Sequence, residues 1–309
     1  MRLLAAFLVS LAVAAALAPL VRRLAPRLGL VDRPGPRSLH GAPTPRAGGA
    51  ALWVAAVAGV FVAGTVPHGA LAAAGLVLVV GLVDDRFGLP AAVRLAAHLA
   101  AAAVFVIGSG LAAAWIVWMV VVVNFYNFMD GIDGLAATQA VLTGLGVALA
   151  DWHPAAVALG VGLAGASAGF LPSNWSPARL FMGDAGSGFL GFSLAALPLL
   201  APRDRTAGAA LFVAASLGLF LLDAGWTLAR RAARGARIWE AHREHAYQGL
   251  VLGGWSHARA TLLVAGGGAV LTGAALAAWT TRAVPVWLVG GPAVVLYAAE
   301  RALARRLQA

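Results

Sequence analysis

Apolar residues run along this chain in long blocks, and the polar residues gather in short intervals between them. A membrane-spanning helix needs about 20 mostly apolar residues. Blocks of this kind lie near 3–21, 48–66, 69–83, 93–108, 111–129, 135–150, 155–171, 186–201, 207–229, 260–279 and 284–300. They predict about eleven transmembrane helices, some of them short, in an all-α polytopic bundle forming a single domain over 1–309. Two larger loops remain, about 22–47 and 230–259, and neither leaves room for a soluble domain.

Composition agrees with that pattern. Hydrophobic residues make up 61% of the 309 and charged residues 11%, with a mean hydropathy of +0.86. Soluble proteins carry roughly 25% charged residues, so a soluble enzyme is excluded. A disordered chain is excluded by the same apolar content. With no cysteine there is no disulfide scaffold, thiolate metal site or cysteine nucleophile.

The 22 basic residues are all arginine and face 12 acids, a net charge of +10. That excess suits anionic lipid headgroups or a phosphate-bearing substrate. Nucleic acid is a poor partner, because no soluble basic domain exists to bind it. Eighteen arginines fall in the odd-numbered loops and the C-terminal tail, and four (Arg2, Arg203, Arg205 and Arg282) on the other side. The positive-inside rule then puts the odd loops and the C-terminus in the cytoplasm and the N-terminus outside. Arg22 and Arg23 follow the first block while Arg2 alone precedes it, which favours an uncleaved first helix over a signal peptide.

Acids at the ends of spans are costly and usually functional. Asp84 and Asp85 end the third block, Asp130 and Asp133 end the fifth, Asp184 precedes the eighth, and His242 and His245 follow the ninth. By loop parity all of them share the cytoplasmic face, which predicts one polar site at the membrane surface. Adjacent Asp84 and Asp85 repel, so they need a cation or a shared proton, and a metal or acid–base role follows. In Asn124-Phe125-Tyr126-Asn127-Phe128-Met129-Asp130-Gly131-Ile132-Asp133, two amides and two carboxylates are paired at i, i+3 and can share a helix face. Asp184 sits between glycines before a helix, as in a phosphate or metal loop, although a plain N-cap reads the same way. His242 and His245 flank Arg243 and favour phosphate contact over zinc, the alternative being a solvated surface helix. Asp223 is left open between a structural role and an arginine partner, and His68, His98, His153 and His257 receive no role.

Oxygen donors without cysteine suit a hard ion such as magnesium. Magnesium with aspartate, asparagine and basic residues is the equipment of phosphoryl transfer. No Walker A loop is present, so the phosphorylated reactants must meet at the membrane.

These residues resemble the polyprenyl-phosphate N-acetylhexosamine-1-phosphate transferases, glycosyltransferase family 4. The likeness runs from about residue 31 to 260. It is carried by Arg37 through Gly49 with His40, by Asp84-Asp85 with Gly88-Leu89, by the segment NFYNFMDGIDGL, and by Asn174 with NWSPARLFMGDAGS. The stretch EAHREHAYQ is similar to the branch acting in O-antigen and related polysaccharide pathways. The resemblance implies transfer of a hexosamine 1-phosphate from a UDP-N-acetylhexosamine to undecaprenyl phosphate, with release of UMP. It implies Asp84, Asp85, Asp130 and Asp133 as catalytic acids, and Asp184 with Asp130 as ligands of magnesium, or of manganese in its place. It also implies Arg37, His40, Asn127, Asn174, His242, Arg243 and His245 as the substrate shell, in an enzyme of the inner (plasma) membrane compatible with a homodimer. Many relatives carry lysine where this chain has Ser38, so either Arg37 or Arg46 carries that charge or the phosphate is bound differently. The lipid phosphate is largely dianionic at neutral pH, since its second pKa is near 6. Charge shielding and alignment therefore matter more than a strong base. The alternative is a cation- or proton-coupled transporter, which would place its acids nearer the midplane.

Overall fold

The computed structural model of the chain describes residues 1–35, 38–150, 152–240, 242–282 and 285–308, and at 286 and 287 the backbone only. The first block becomes α1 (Arg2–Leu24), and the next four become α2 (Gly48–Ala63), α3 (His68–Phe87), α4 (Ala91–Gly108) and α5 (Ala114–Phe128). Then follow α6 (Leu135–Leu149), α7 (Pro154–Asn174) and α8 (Gly183–Ala196). The eleven blocks compare with thirteen α-helices among the described residues.

The block at 207–229 is two helices, α9 (Thr206–Ser216) and α10 (Gly218–Ala233), bent by 79°. Leu217 leaves helical geometry at φ −85° and ψ 12°. The break is stabilised from outside: the Gln139 side chain donates to the Ser216 carbonyl at 2.8 Å, and the Ser216 hydroxyl lies 2.8 Å from that of Thr143 and 2.7 Å from that of Thr272. A broken helix in an apolar setting needs such partners for its freed backbone groups. The other additional helix is the short α11 (Ala246–Leu252), inside the second large loop. Beyond it lie α12 (His257–Thr281) and α13 (Gly290–Gln308).

Among the described residues, five segments can each cross a membrane by length and composition: Arg2–Leu28, Ala91–Gly108, Pro154–Asn174, Gly183–Leu200 and His257–Thr281. The bent pair α9–α10 makes a sixth. The helices α2, α5 and α6 have 16, 15 and 15 residues. At 1.5 Å per residue each reaches roughly 22–24 Å, short of a hydrocarbon core of about 30 Å.

The centre of the bundle is α7 and α8. Residues 155–167 and 185–196 are buried without interruption, as expected of helices apolar on every side. Around them, α7 packs on α1, α2 and α6, while α8 packs on α2, α3 and α5. Two glycines set how closely the first turn of α8 is held. A Cβ at Gly81 of α3 would overlap the backbone of Ala185, and one at Gly49 of α2 would overlap Gly186. The start of α8 is thereby wedged between the end of α3 and the start of α2. The first loop is pinned beside it. Strands β1 (Val31–Asp32) and β2 (Thr44–Pro45) pair antiparallel, and the Phe181 N–H donates to the Pro45 carbonyl at 2.9 Å.

Candidate active site

The pair Asp84–Asp85 is divided between two directions. Asp85 turns to α8, where its carboxylate accepts the backbone N–H of Asp184 at 3.0 Å and of Ala185 at 3.2 Å. The guanidinium of Arg46 lies 3.7 Å from it and also donates to the Asp85 carbonyl. Asp84, also buried, turns to the start of α4, accepting Leu89 N–H at 2.5 Å and Arg94 Nη1 at 2.7 Å. Each acid thus has its own arginine, and the repulsion expected between neighbouring carboxylates is relieved by divergence. Arg86 takes no part, since it lies over the Phe87 ring at 5.1 Å.

Arg94 also reaches Asp184, at 3.4 Å, and so bridges the acids of α3 and α8. The other oxygen of Asp184 accepts Asn127 Nδ2 at 2.6 Å, and the same amide donates to the Ser187 hydroxyl at 2.7 Å. The end of α5 is thereby fixed to the start of α8.

Past the end of α5 the two remaining acids separate. Asp133 is held: its carboxylate accepts the Ala178 N–H at 3.1 Å and stands 3.2 Å from His257 Nδ1. Desolvation raises its pKa, but the hydrogen bond and charge of His257, with the Ala178 N–H, prevail and leave it below the usual carboxylate value. Asp130 has no hydrogen-bond donor or cation on its carboxylate among the described residues. Burial, then the charges of Asp184, Asp85 and Asp133, push its pKa well above the ordinary value. Asn174 is buried and spends its amide on backbone, accepting from Gly134 N–H at 3.2 Å and donating to the Leu180 carbonyl at 3.1 Å.

Two cavities meet at these groups. A polar cleft is lined by His40, Arg46, Asp85, Asn127, Asp130, Asp133, Asn174, Phe181, Asp184, Ser187, Gln248 and His257. A largely apolar groove runs between α3, α4, α5 and α10, with Leu95, Val120, Val121, Phe125, Leu228 and Trp239 on its walls and Asp84 and Arg94 at its polar end. Asp184 and Asn127 line both.

Of the residues singled out in the sequence, Asp85, Asn127, Asp130, Asp133, Asn174, Asp184 and His40 share the cleft, and Asp84 faces the groove. Arg37 lies outside the described residues. His242, Arg243 and His245 are not on the cleft wall. Arg243 and His245 line a separate cavity, and the His242 ring lies tilted, 4.9 Å from that of His245. Burial, with His245 and Arg231 nearby, pushes the His242 imidazole down to about 4.

Sequence reasoning missed Arg94 and His257. Arg94 had counted only towards orientation, although an arginine just inside an apolar block was itself a signal. His257 links Asp133 to the first loop, with its Nε2 3.2 Å from the Leu39 carbonyl. It sits on the same loop parity as the acids, which was the available clue. Asp223 is also resolved: it is fully buried and accepts the Ala246 N–H, capping α11 from α10.

Among the described residues, no three His, Cys, Asp or Glu side chains stand together so as to hold a metal ion. The donor chemistry nonetheless fits a hard divalent cation, which prefers carboxylate and amide oxygens. Asp130 has no hydrogen-bond donor or cation on its carboxylate among the described residues, and the charges of Asp184 and Asp85 bear on it as like charges.

Residues 68–201, from α3 to just past α8, match the family model described as glycosyl transferase family 4. The chain is 33% identical over 304 residues to "Decaprenyl-phosphate N-acetylglucosaminephosphotransferase" of Mycobacterium tuberculosis, covering 79% of this chain and 74% of that protein. The chain belongs to glycosyl transferase family 4. It is also 29% identical over 291 residues to "Probable undecaprenyl-phosphate N-acetylglucosaminyl 1-phosphate transferase" of Bacillus subtilis, covering 85% of this chain and 81% of that protein. A shorter match, 50% over 62 residues, covers 20% of this chain and 17% of "Phospho-N-acetylmuramoyl-pentapeptide-transferase" of Synechococcus elongatus. Each of these relatives is named as a transferase, which gives the transporter reading no support. The family segment holds every acid of the cleft except Asp32, and it excludes the loop of His242 to His245.

Proposed function

We propose that this family-4 transferase moves an N-acetylhexosamine 1-phosphate from its UDP-activated form onto a polyprenyl phosphate, undecaprenyl phosphate in a bacterial membrane. The observation that carries the reading is the junction of the polar cleft and the apolar groove at Asp184 and Asn127. A water-soluble nucleotide sugar suits the cleft. A polyprenyl chain suits the groove, with its phosphate at the Arg94 end. The names of the relatives favour N-acetylglucosamine, with other or 6-deoxy hexosamines as variants and a cell-envelope polysaccharide as the destination.

In the reaction, an oxygen of the lipid phosphate attacks the phosphorus bonded to the sugar. The phosphorus–oxygen bond to the uridine phosphate breaks, UMP leaves, and a polyprenyl-diphosphate sugar remains. Arg94 offsets one of the two negative charges of Asp84 and Asp184 and offers the phosphate dianion a cation at the polar end of the groove. Arg46, and Arg37 from the same loop, offer cations to the donor diphosphate. Asp84 and Asp85 orient these arginines, Asp85 also holds α8 in place, and Asp133 with His257 ties the first loop over the cleft. His40 and Asn174 complete the proposed substrate shell at the cleft, whereas His242, Arg243 and His245, expected in it, lie off the cleft wall. Asp184 and Asp130 would hold magnesium or manganese, which when bound supplies charge shielding for the diphosphate and for departing UMP. The arginine bias supports a cytoplasmic-facing site in the plasma membrane, and a homodimer is compatible with it.

The test is UMP release by purified protein in detergent, given undecaprenyl phosphate and a panel of UDP-N-acetylhexosamines, with magnesium or EDTA. Release that needs both lipid and magnesium and disappears in Asp184→Ala is the expected result. Folded protein that releases no UMP from any donor would overturn the proposal.

A further inference from the structure

The short helix α11 has two sides. On one, Gln248 lines the cleft and the Tyr247 hydroxyl donates to the Phe128 carbonyl at 3.0 Å. On the other, Gly249 and Leu252 face a second cavity, closed by the C-terminal halves of α10 and α13. Its polar wall carries four arginines, Arg230 from α10, Arg243 from the loop, and Arg301 and Arg305 from α13, beside Glu244, His245, Tyr297 and Gln308.

These cations outweigh the acid available to them. Glu244 is the carboxylate on this wall, and Arg230, Arg231 and Arg234 already converge on it. Arg243 and Arg305 have no acidic partner among the described residues. Among the described residues Arg301 meets only the Tyr297 hydroxyl, at 3.5 Å, and the face of Trp226, at 5.1 Å. The buried Nε of Arg230 has no hydrogen-bond partner. Two further acids lie behind the wall. Asp223 is used by the N–H groups of Ala246 and Tyr247, and the buried Glu300 forms no ion pair among the described residues.

The surroundings specify what brings the missing negative charge. Trp226 beneath Arg301 is 54% exposed and Leu252 on the cavity wall 46%, while Val294 and Val295 of α13 are exposed two turns away. A tryptophan and arginine side by side above an apolar helix face is the composition of a membrane interface. A free anion would use the arginines alone, whereas a phospholipid uses both halves. Basic pockets between membrane helices bind anionic headgroups in this way.

We infer that this cavity binds the phosphate of an anionic phospholipid, phosphatidylglycerol being the simplest, from the leaflet at the α11 end of the bundle. The guanidinium groups of Arg301 and Arg305 take the phosphate oxygens, and the acyl chains lie along α13. The site is distinct from the cleft and does not depend on the transferase reading. Because α11 forms one wall of each cavity, an occupied headgroup site also holds Gln248 and Tyr247 against the cleft.

The test measures thermal stability and native mass spectra of the full chain in detergent. Phosphatidylglycerol, phosphatidylcholine and inorganic phosphate are added separately. Phosphatidylglycerol is expected to raise the midpoint and remain bound, phosphatidylcholine and inorganic phosphate to do neither. At about 1 kcal/mol for each arginine at a membrane surface, Arg301→Gln with Arg305→Gln weakens phosphatidylglycerol binding about thirtyfold. Arg305→Gln alone, at an exposed position with no acidic partner among the described residues, guards against a folding defect and should weaken it about fivefold. Arg282→Gln, at the far end of α12, should leave binding intact. Phosphatidylglycerol binding that survives the double substitution would overturn the proposal, as would equal stabilisation by phosphatidylcholine or by inorganic phosphate alone.

Discussion

Asp85 accepts the backbone N–H of Asp184 at 3.0 Å, so an acid at the end of α3 caps the helix that presents the next acid of the cleft. This contact separates the two residues by the kind of damage their loss should do. Asp85→Ala strands the N–H groups of Asp184 and Ala185 in a buried place. A buried unsatisfied donor costs about 1–3 kcal/mol, so the variant should unfold at a clearly lower temperature and release little UMP. Asp184→Ala removes a carboxylate from a crowded acidic cluster and should keep its unfolding temperature while losing UMP release. If Asp184→Ala unfolds as early as Asp85→Ala, the division of roles is wrong.

Arg94 sits 2.7 Å from Asp84 and 3.4 Å from Asp184, at the polar end of the apolar groove. Both contacts are made by Nη1, so a lysine there keeps the charge but loses the other guanidinium donors, which are left to take the acceptor phosphate. Arg94→Lys should therefore raise the KM for undecaprenyl phosphate about tenfold or more, a cost of about 1.4 kcal/mol. The KM for the nucleotide sugar should move much less. Steady-state kinetics with each substrate varied in turn would measure this, and a larger effect on the nucleotide sugar would place the acceptor elsewhere.

The contact of Asp133 with His257 has a pH signature. Its folded pKa lies below the unfolded value of about 3.9, so the stability it contributes is fully present above roughly pH 4 and fades as the pH falls through the folded value. Hydrogen bonds to a charged group contribute about 1.5–3 kcal/mol. Asp133→Asn should lower the unfolding temperature near pH 7, and the gap from the native chain should narrow steadily below pH 4. Unfolding curves of both proteins across that range provide the measurement. A gap that stays constant would mean that the charge of Asp133 is not what holds it.

The apolar blocks were legible because a span is a composition averaged over many residues. The break at Leu217 was not, because leucine and glycine both continue an apolar run, and the group that stabilises the break is Gln139, far away in sequence. The acid cluster was legible from loop parity alone. Its wiring was not. Adjacent Asp84 and Asp85 predict mutual repulsion, whereas the chain turns them to different arginines, one in the first loop and one in α4. His257 stands alone in sequence and acquires meaning only when α12 starts beside Asp133 and Leu39.

Asp223 was undecided in the sequence and is a structural anchor in the fold. It is fully buried in α10 and accepts the Ala246 N–H at 2.9 Å and the Thr227 hydroxyl at 3.2 Å, with His245 at 3.5 Å. Asp223→Ala should cost about 1–3 kcal/mol by leaving the Ala246 N–H buried without a partner. Because that N–H begins α11, the loss should be local first: hydrogen exchange in residues 242–252 should accelerate while α7 and α8 stay protected. Asp223→Asn keeps one acceptor oxygen for Ala246 and should recover much of that protection. Uniform acceleration across the whole chain in Asp223→Ala would show instead that this carboxylate supports the bundle as a whole.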